Sequence, residues 1–234
     1  METDARTLRF PPTGWLVGIG LVLVLGVLVL GAKVQSVVGP IRTDNVAGLR
    51  LLTTVRAPTT AWRDVADVGS EIPVLLGVGA LVVWAATKRD WAAAAVALLG
   101  PAMALFLTES VLKPLVDRTS PKGVYSYPSG HSAVVAALVT TALLFVYRYL
   151  GLKIALLWSP YAIGVICAVA IAVVALRWHY VTDAVGGVAL GIGMVLLWAA
   201  AADRWRWGAR RRPRPGGSGC LTSPADPTDK GRYG

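Results

Sequence analysis

Six long stretches of this chain are almost free of charged side chains, and that pattern limits its fold more than any motif does. They run from about Gly14 to Ala32, Ile72 to Thr87, Trp91 to Leu112, His131 to Leu150, Ile154 to Leu176 and Val181 to Ala202. A bilayer core takes about 20 mostly apolar residues per helical span. Within lipid the backbone must satisfy its own hydrogen bonds, as a helix does. The expected fold is therefore all-α, a six-span transmembrane helical bundle. With 55% hydrophobic and 15% charged residues, the chain is too apolar for an ordinary soluble domain. The first stretch follows Arg6 and Arg9 as a secretory signal would. Its apolar run exceeds the roughly 7 to 15 residues of a signal core, however, and Lys33-Val34-Gln35 is a poor cleavage site, so it reads as a retained span. Small residues at Gly186, Gly187, Gly191 and Gly193 favour close helix approach in lipid.

Six spans put both termini on one side. Arg6, Arg9, Lys88, Arg89, Arg148, Lys153 and the arginines from Arg204 to Arg214 fall on that side, in short flanks, and outnumber the cations on the other. The positive-inside rule then places both termini in the cytoplasm, with the 113–130 loop and the turn from Arg177 to Val181 facing outward. The expected organisation is a cytoplasmic segment 1–13, a six-helix domain 14–202 and a disordered basic tail 203–234 that is rich in Arg, Pro and Gly. Between Lys33 and Glu71, Arg56, Arg63, Asp64 and Asp67 mix with Leu49, Leu52, Val55, Trp62 and Val65, which suggests an amphipathic connection on the outer face. The net charge of +10 is scattered between apolar segments, so no nucleic-acid partner is expected. Cys167 and Cys220 have neither disulfide-framework nor metal-type spacing.

The chain contains two histidines, His131 and His179, each at the outward end of an expected span. Ionisable groups near membrane depth are costly and tend to mark function. Pro128-Ser129-Gly130 precedes His131 where a loop becomes a helix. The N–H groups of a helix start suit an anion, Ser129 adds a hydroxyl, and Gly130 admits an anion close to the backbone. Asp183 follows His179 by one helical turn, a spacing that lets a carboxylate orient an imidazole. Lys113 and Arg118 offer two cations for phosphate oxygens, and Glu109 stands one turn before Lys113.

Lys113, Arg118, then Tyr127-Pro128-Ser129-Gly130-His131, then His179-Tyr180-Val181-Thr182-Asp183 with Gly186-Gly187 together resemble the type 2 phosphatidic acid phosphatase superfamily, in order and in loop position, over roughly Val55 to Ala202. Two positions depart from that family's pattern. Ser120-Pro121 stands where Arg-Pro is usual, with Arg118 nearby, and Val173 stands where an arginine precedes the histidine, with Arg177 nearby. The resemblance implies that His179 attacks phosphorus to form a phosphohistidine, Asp183 orients it and His131 protonates the leaving oxygen. Lys113, Arg118, Ser129, Gly130 and Arg177 would then hold the phosphoryl group. It implies no metal and no cofactor, and a membrane lipid phosphate or polyprenyl diphosphate as substrate. Two rival readings are a catalytically inactive lipid-phosphate binding or transport relative, and a bis-histidine haem protein.

Overall fold

Hydropathy alone places the helices, and local capping decides where they end. The computed structural model describes residues 10–36, 44, 46, 48–50, 57–120 and 122–211, with side chains described as far as Trp205. Helix α1 spans Thr13–Gln35 and α2 spans Thr59–Ala66, followed by a 3₁₀ turn, Asp67–Gly69. Helix α3 spans Glu71–Thr87, and α4, Trp91–Phe106, continues through a π-helical segment, Leu107–Leu112, into α5, Lys113–Val116. Helices α6, α7 and α8 span Gly130–Leu150, Leu152–Ala175 and Val181–Arg211. Asp90 caps α4 by accepting from the Ala93 N–H at 3.2 Å. Gly151 alone separates α6 from α7, and its φ of +94° is one that a glycine adopts without steric cost.

Among the described residues, five spans are long and apolar enough to cross a membrane, and a sixth exists if α2 and α3 count as one span bent by 41°. Helix α3 by itself has 17 residues, short of a comfortable crossing. The bend falls at Ser70, whose backbone is extended and whose hydroxyl donates to the Asp67 carbonyl at 2.7 Å. Large apolar side chains such as Val22, Leu25 and Val29 on α1 and Leu157, Trp158 and Ile163 on α7 point outward, as lipid-facing helices require. The chain is thus a multi-pass, all-helical membrane protein.

Helix α8 is the hub, packing on α1, α4, α6 and α7. Its glycines make this possible. A Cβ on Gly187 would lie 2.3 Å from the Ser129 carbonyl oxygen, and one on Gly191 would lie 2.1 Å from that of Ala133. Gly20 of α1 meets Gly193 of α8 in the same way, each Cβ position 3.2 Å from the other's carbonyl oxygen. Helix α2 is the described part of the amphipathic connection: Arg63 and Asp64 are exposed, while Trp62, Val65 and Ala66 pack against Val173, Val174 and Leu176 of the α7 end.

The two ends of the bundle differ. One gathers the starts of α6 and α8 with the ends of α4 and α7. At the other, fully buried Arg148 donates through Nε to Asp90 Oδ2 at 2.7 Å, and its guanidinium lies 4.4 Å from the Phe10 ring centroid. Arg148, counted above among the flanking loop cations, is therefore an interior ion-pair partner. Helix α8 also runs past the expected boundary at Ala202 to Arg211, so the first part of the expected disordered tail is helical. Positions 212–234, including Cys220, and the segment 1–9 lie outside the described residues.

Candidate active site

The site is assembled where four helix ends meet. A short loop, 117–129, crosses them. It leaves α5 through Asp117, at φ +50°, and folds back on itself through Ser120 N–H to Val124 O at 2.8 Å and Ser126 N–H to Arg118 O at 2.8 Å. Tyr127 anchors it by donating to the Val27 carbonyl of α1 at 2.6 Å, its ring lying against Gly186. Burial, and after it the Asp183 carboxylate, pushes the Tyr127 phenol above its ordinary pKa, which keeps it a neutral donor. Ser129 then caps α6, accepting from the Ser132 N–H at 3.4 Å, and its own N–H donates to the Asp183 carbonyl at 2.9 Å, tying α6 to α8.

His179 arrives from the other side. Helix α7 ends in a Schellman motif, with Arg177 N–H bonded to Val174 O and Trp178 N–H to Val173 O. Arg177 takes the left-handed position at φ +60° that a glycine more often fills. The turn delivers His179 with Nδ1 2.9 Å from the Ser126 carbonyl oxygen. A carbonyl only accepts, so Nδ1 carries the proton and Nε2 keeps its lone pair. Asp183 was expected to orient the ring directly. Its Oδ2 instead lies 3.8 Å from Nδ1 and accepts the Tyr180 N–H at 2.8 Å, the reach-back of a capping box at the start of α8.

Arg118 faces away from the cavity. One terminal nitrogen donates to Asp183 Oδ1 and Thr182 Oγ1, both at 2.6 Å, and the other to Asp44 Oδ2 at 2.9 Å, with the Tyr180 ring 4.2 Å beneath. Asp44 also accepts the Thr182 N–H at 3.1 Å. A guanidinium buried between two carboxylates has both terminal nitrogens engaged, and so helps to fix Asp183 and the start of α8.

The cavity itself is about 240 Å³ and is lined by both histidines, Lys113, Glu109, Gly130, Lys122, Trp178, Val124 and Tyr125. The His131 ring lies 5.6 Å from that of Trp178, and Lys122 Nζ lies 5.4 Å from the same indole. Lys113 Nζ donates to both oxygens of Glu109 at 2.7 Å. Of the residues singled out in the sequence, His131, His179, Lys113, Glu109 and Gly130 share the cavity. Asp183 and Arg118 stand behind it, and Ser129 and Arg177 shape the backbone around it without lining it. Lys122, Trp178, Asp44 and the Ser126 carbonyl were not foreseen as parts of the site. Trp178 adjoins a histidine, but no spacing in the sequence points to Asp44. Among the described residues, no group of three or more His, Cys, Asp or Glu is arranged to hold a metal ion.

Residues 110–207 match the family model of the PAP2 superfamily. Among solved structures, the chain is similar to the crystal structure of a transmembrane PAP2 type phosphatidylglycerolphosphate phosphatase from Bacillus subtilis. The TM-score is 0.60 and the identity 21%, over 83% of this chain and 98% of that one, a likeness of fold. No curated protein matches the chain.

Proposed function

We propose that this chain, residues 110–207 of which match the PAP2 superfamily model, is a membrane phosphatase of that superfamily that releases phosphate from a lipid phosphate or polyprenyl diphosphate. The observation that carries the reading is that His131, in the first turn of α6, and His179, in the turn between α7 and α8, line one cavity together with Lys113 and the first residue of α6. In this reading His179 Nε2 attacks phosphorus while the bond from phosphorus to the lipid oxygen breaks. The departing oxygen takes a proton from His131. Water, losing its proton to His131, then opens the phosphohistidine to give inorganic phosphate and restore His179. The N–H groups of Gly130 and His131, two cavity-lining residues at the start of α6, have no hydrogen-bond partner among the described residues, and with Lys113 and Lys122 they supply positive potential for the phosphoryl oxygens. Arg118 acts through Asp183 and Thr182 instead of touching phosphate.

The lipid chain lies between helices and the headgroup enters at the membrane face. By the distribution of loop cations, that face is the extracytoplasmic one and both termini are cytoplasmic. A second reading, a lipid-phosphate binder without turnover, is favoured by one observation: Arg118, the nearest arginine to the place of the first missing family arginine, is held by Asp44 and Asp183. One experiment separates the two. Purified protein is given a panel of lipid phosphates and diphosphates and phosphate release is measured, with His179→Ala beside it. The phosphatase reading expects release that falls at least about a thousandfold in the variant. Binding without release supports the second reading, and equal release by both proteins rejects the mechanism.

A further inference from the structure

Glu109 stands where an anion is wanted. Its Oε1 lies only 2.6 Å from the point a Cβ would occupy on Gly130, so the carboxylate rests against the first turn of α6, and Lys113 closes on it from the other side. The π-helical segment Leu107–Leu112 carries this carboxylate to that place, at the mouth of the cavity shared by His131 and His179. Its side chain is 44% exposed, so it is free to swing out to solvent without unpacking the bundle.

We infer that Glu109 is a specificity-determining residue: an internal carboxylate that competes with substrate for Lys113 and the start of α6, so that only a dianionic phosphate displaces it. The inference rests on the phosphatase reading above. Exchanging one monoanion for another at the same cation and helix dipole gains little Coulomb energy, whereas exchanging a monoanion for a dianion gains. A terminal phosphate monoester, with a second pKa near 6, is largely dianionic at neutral pH. A phosphodiester headgroup carries one charge. A site bathed in phosphodiester lipid needs this discrimination, because those headgroups otherwise occupy it by mass action. The alternative role, a carboxylate that merely holds Lys113 in place, predicts the opposite response to its removal.

The test uses the full-length protein in detergent micelles, with short-chain phosphatidate as substrate and phosphatidylglycerol as the competing diester. For Glu109→Gln the inference expects a lower KM for phosphatidate and inhibition by phosphatidylglycerol about tenfold stronger than in the parent protein. A raised KM, or equal inhibition of both proteins, overturns it. If the parent protein releases no phosphate from any lipid phosphate, the phosphatase reading falls. The inference is then read from binding of inorganic phosphate alone, where tighter binding by Glu109→Gln supports it and equal or weaker binding overturns it.

Discussion

The His179 ring is held by a backbone carbonyl, and this changes what its neighbours do. With Nδ1–H directed at Ser126, Asp183 is left 3.8 Å away and its oxygens serve Tyr180 and Arg118. Orientation of the ring and anchoring of the start of α8 are therefore divided between two groups. Arg177 illustrates a different division. Its backbone closes the turn that delivers His179, and it does not line the cavity. Arg177→Gly is predicted to keep the KM for a lipid phosphate within about twofold and to relieve left-handed strain of about 1 kcal/mol, as measured by steady-state phosphate release and by thermal unfolding in micelles. A rise in KM of tenfold or more would show that the guanidinium reaches the substrate. The two histidines were legible in the sequence because each sits beside a loop with a recognisable start. The commitment of Arg118 was not legible, because its partner Asp44 lies 74 residues earlier and becomes a neighbour only through the fold.

Helix α6 carries His131 and the turn leading into α8 carries His179, so the spacing of the two helices helps to set the distance between acid and nucleophile. That spacing is as small as backbone contact allows at Gly187 and Gly191. Gly191→Ala is predicted to force the pair apart, costing about 1–3 kcal/mol of stability and lowering phosphate release by more than its loss of folded protein explains. Gly79→Ala, on α3 with nothing within 4 Å, is the control, expected to be neutral or slightly stabilising. Thermal unfolding and specific activity of the folded fraction, measured on both variants, decide the point. The sequence revealed these glycines as small residues in apolar spans, and hydropathy located five of the spans as crossing helices. It did not reveal the bend at Ser70 or the π-helical segment that sets Glu109, since both arise from local hydrogen bonding that leaves hydropathy unchanged. The end of α8 was misjudged because an arginine-rich run has little apolar signal, although arginine is itself a good helix former.

At the scale of the whole molecule, the candidate site occupies one end of the bundle and a buried ion pair, Asp90 with Arg148, occupies the other. The proposed orientation predicts that a cysteine at Val124, beside the cavity, is labelled by an impermeant maleimide on intact cells, and that one at Lys88 is labelled only after lysis. Both are placed in a background with Cys167 and Cys220 changed to Ser. The reverse pattern would put the site in the cytoplasm. Loop charges suggest this orientation, yet one of them, Arg148, is interior. The Asp44 bridge to Arg118 and Thr182 has a wider consequence. The stretch that matches the family begins at residue 110, after this carboxylate, yet it depends on it for the register of its last helix. Asp44 thus belongs to the same folded unit as that stretch. A chimera that joins the later half to a foreign first half must bring an acid to the same spot, and lineages of such proteins should inherit the two halves as a unit.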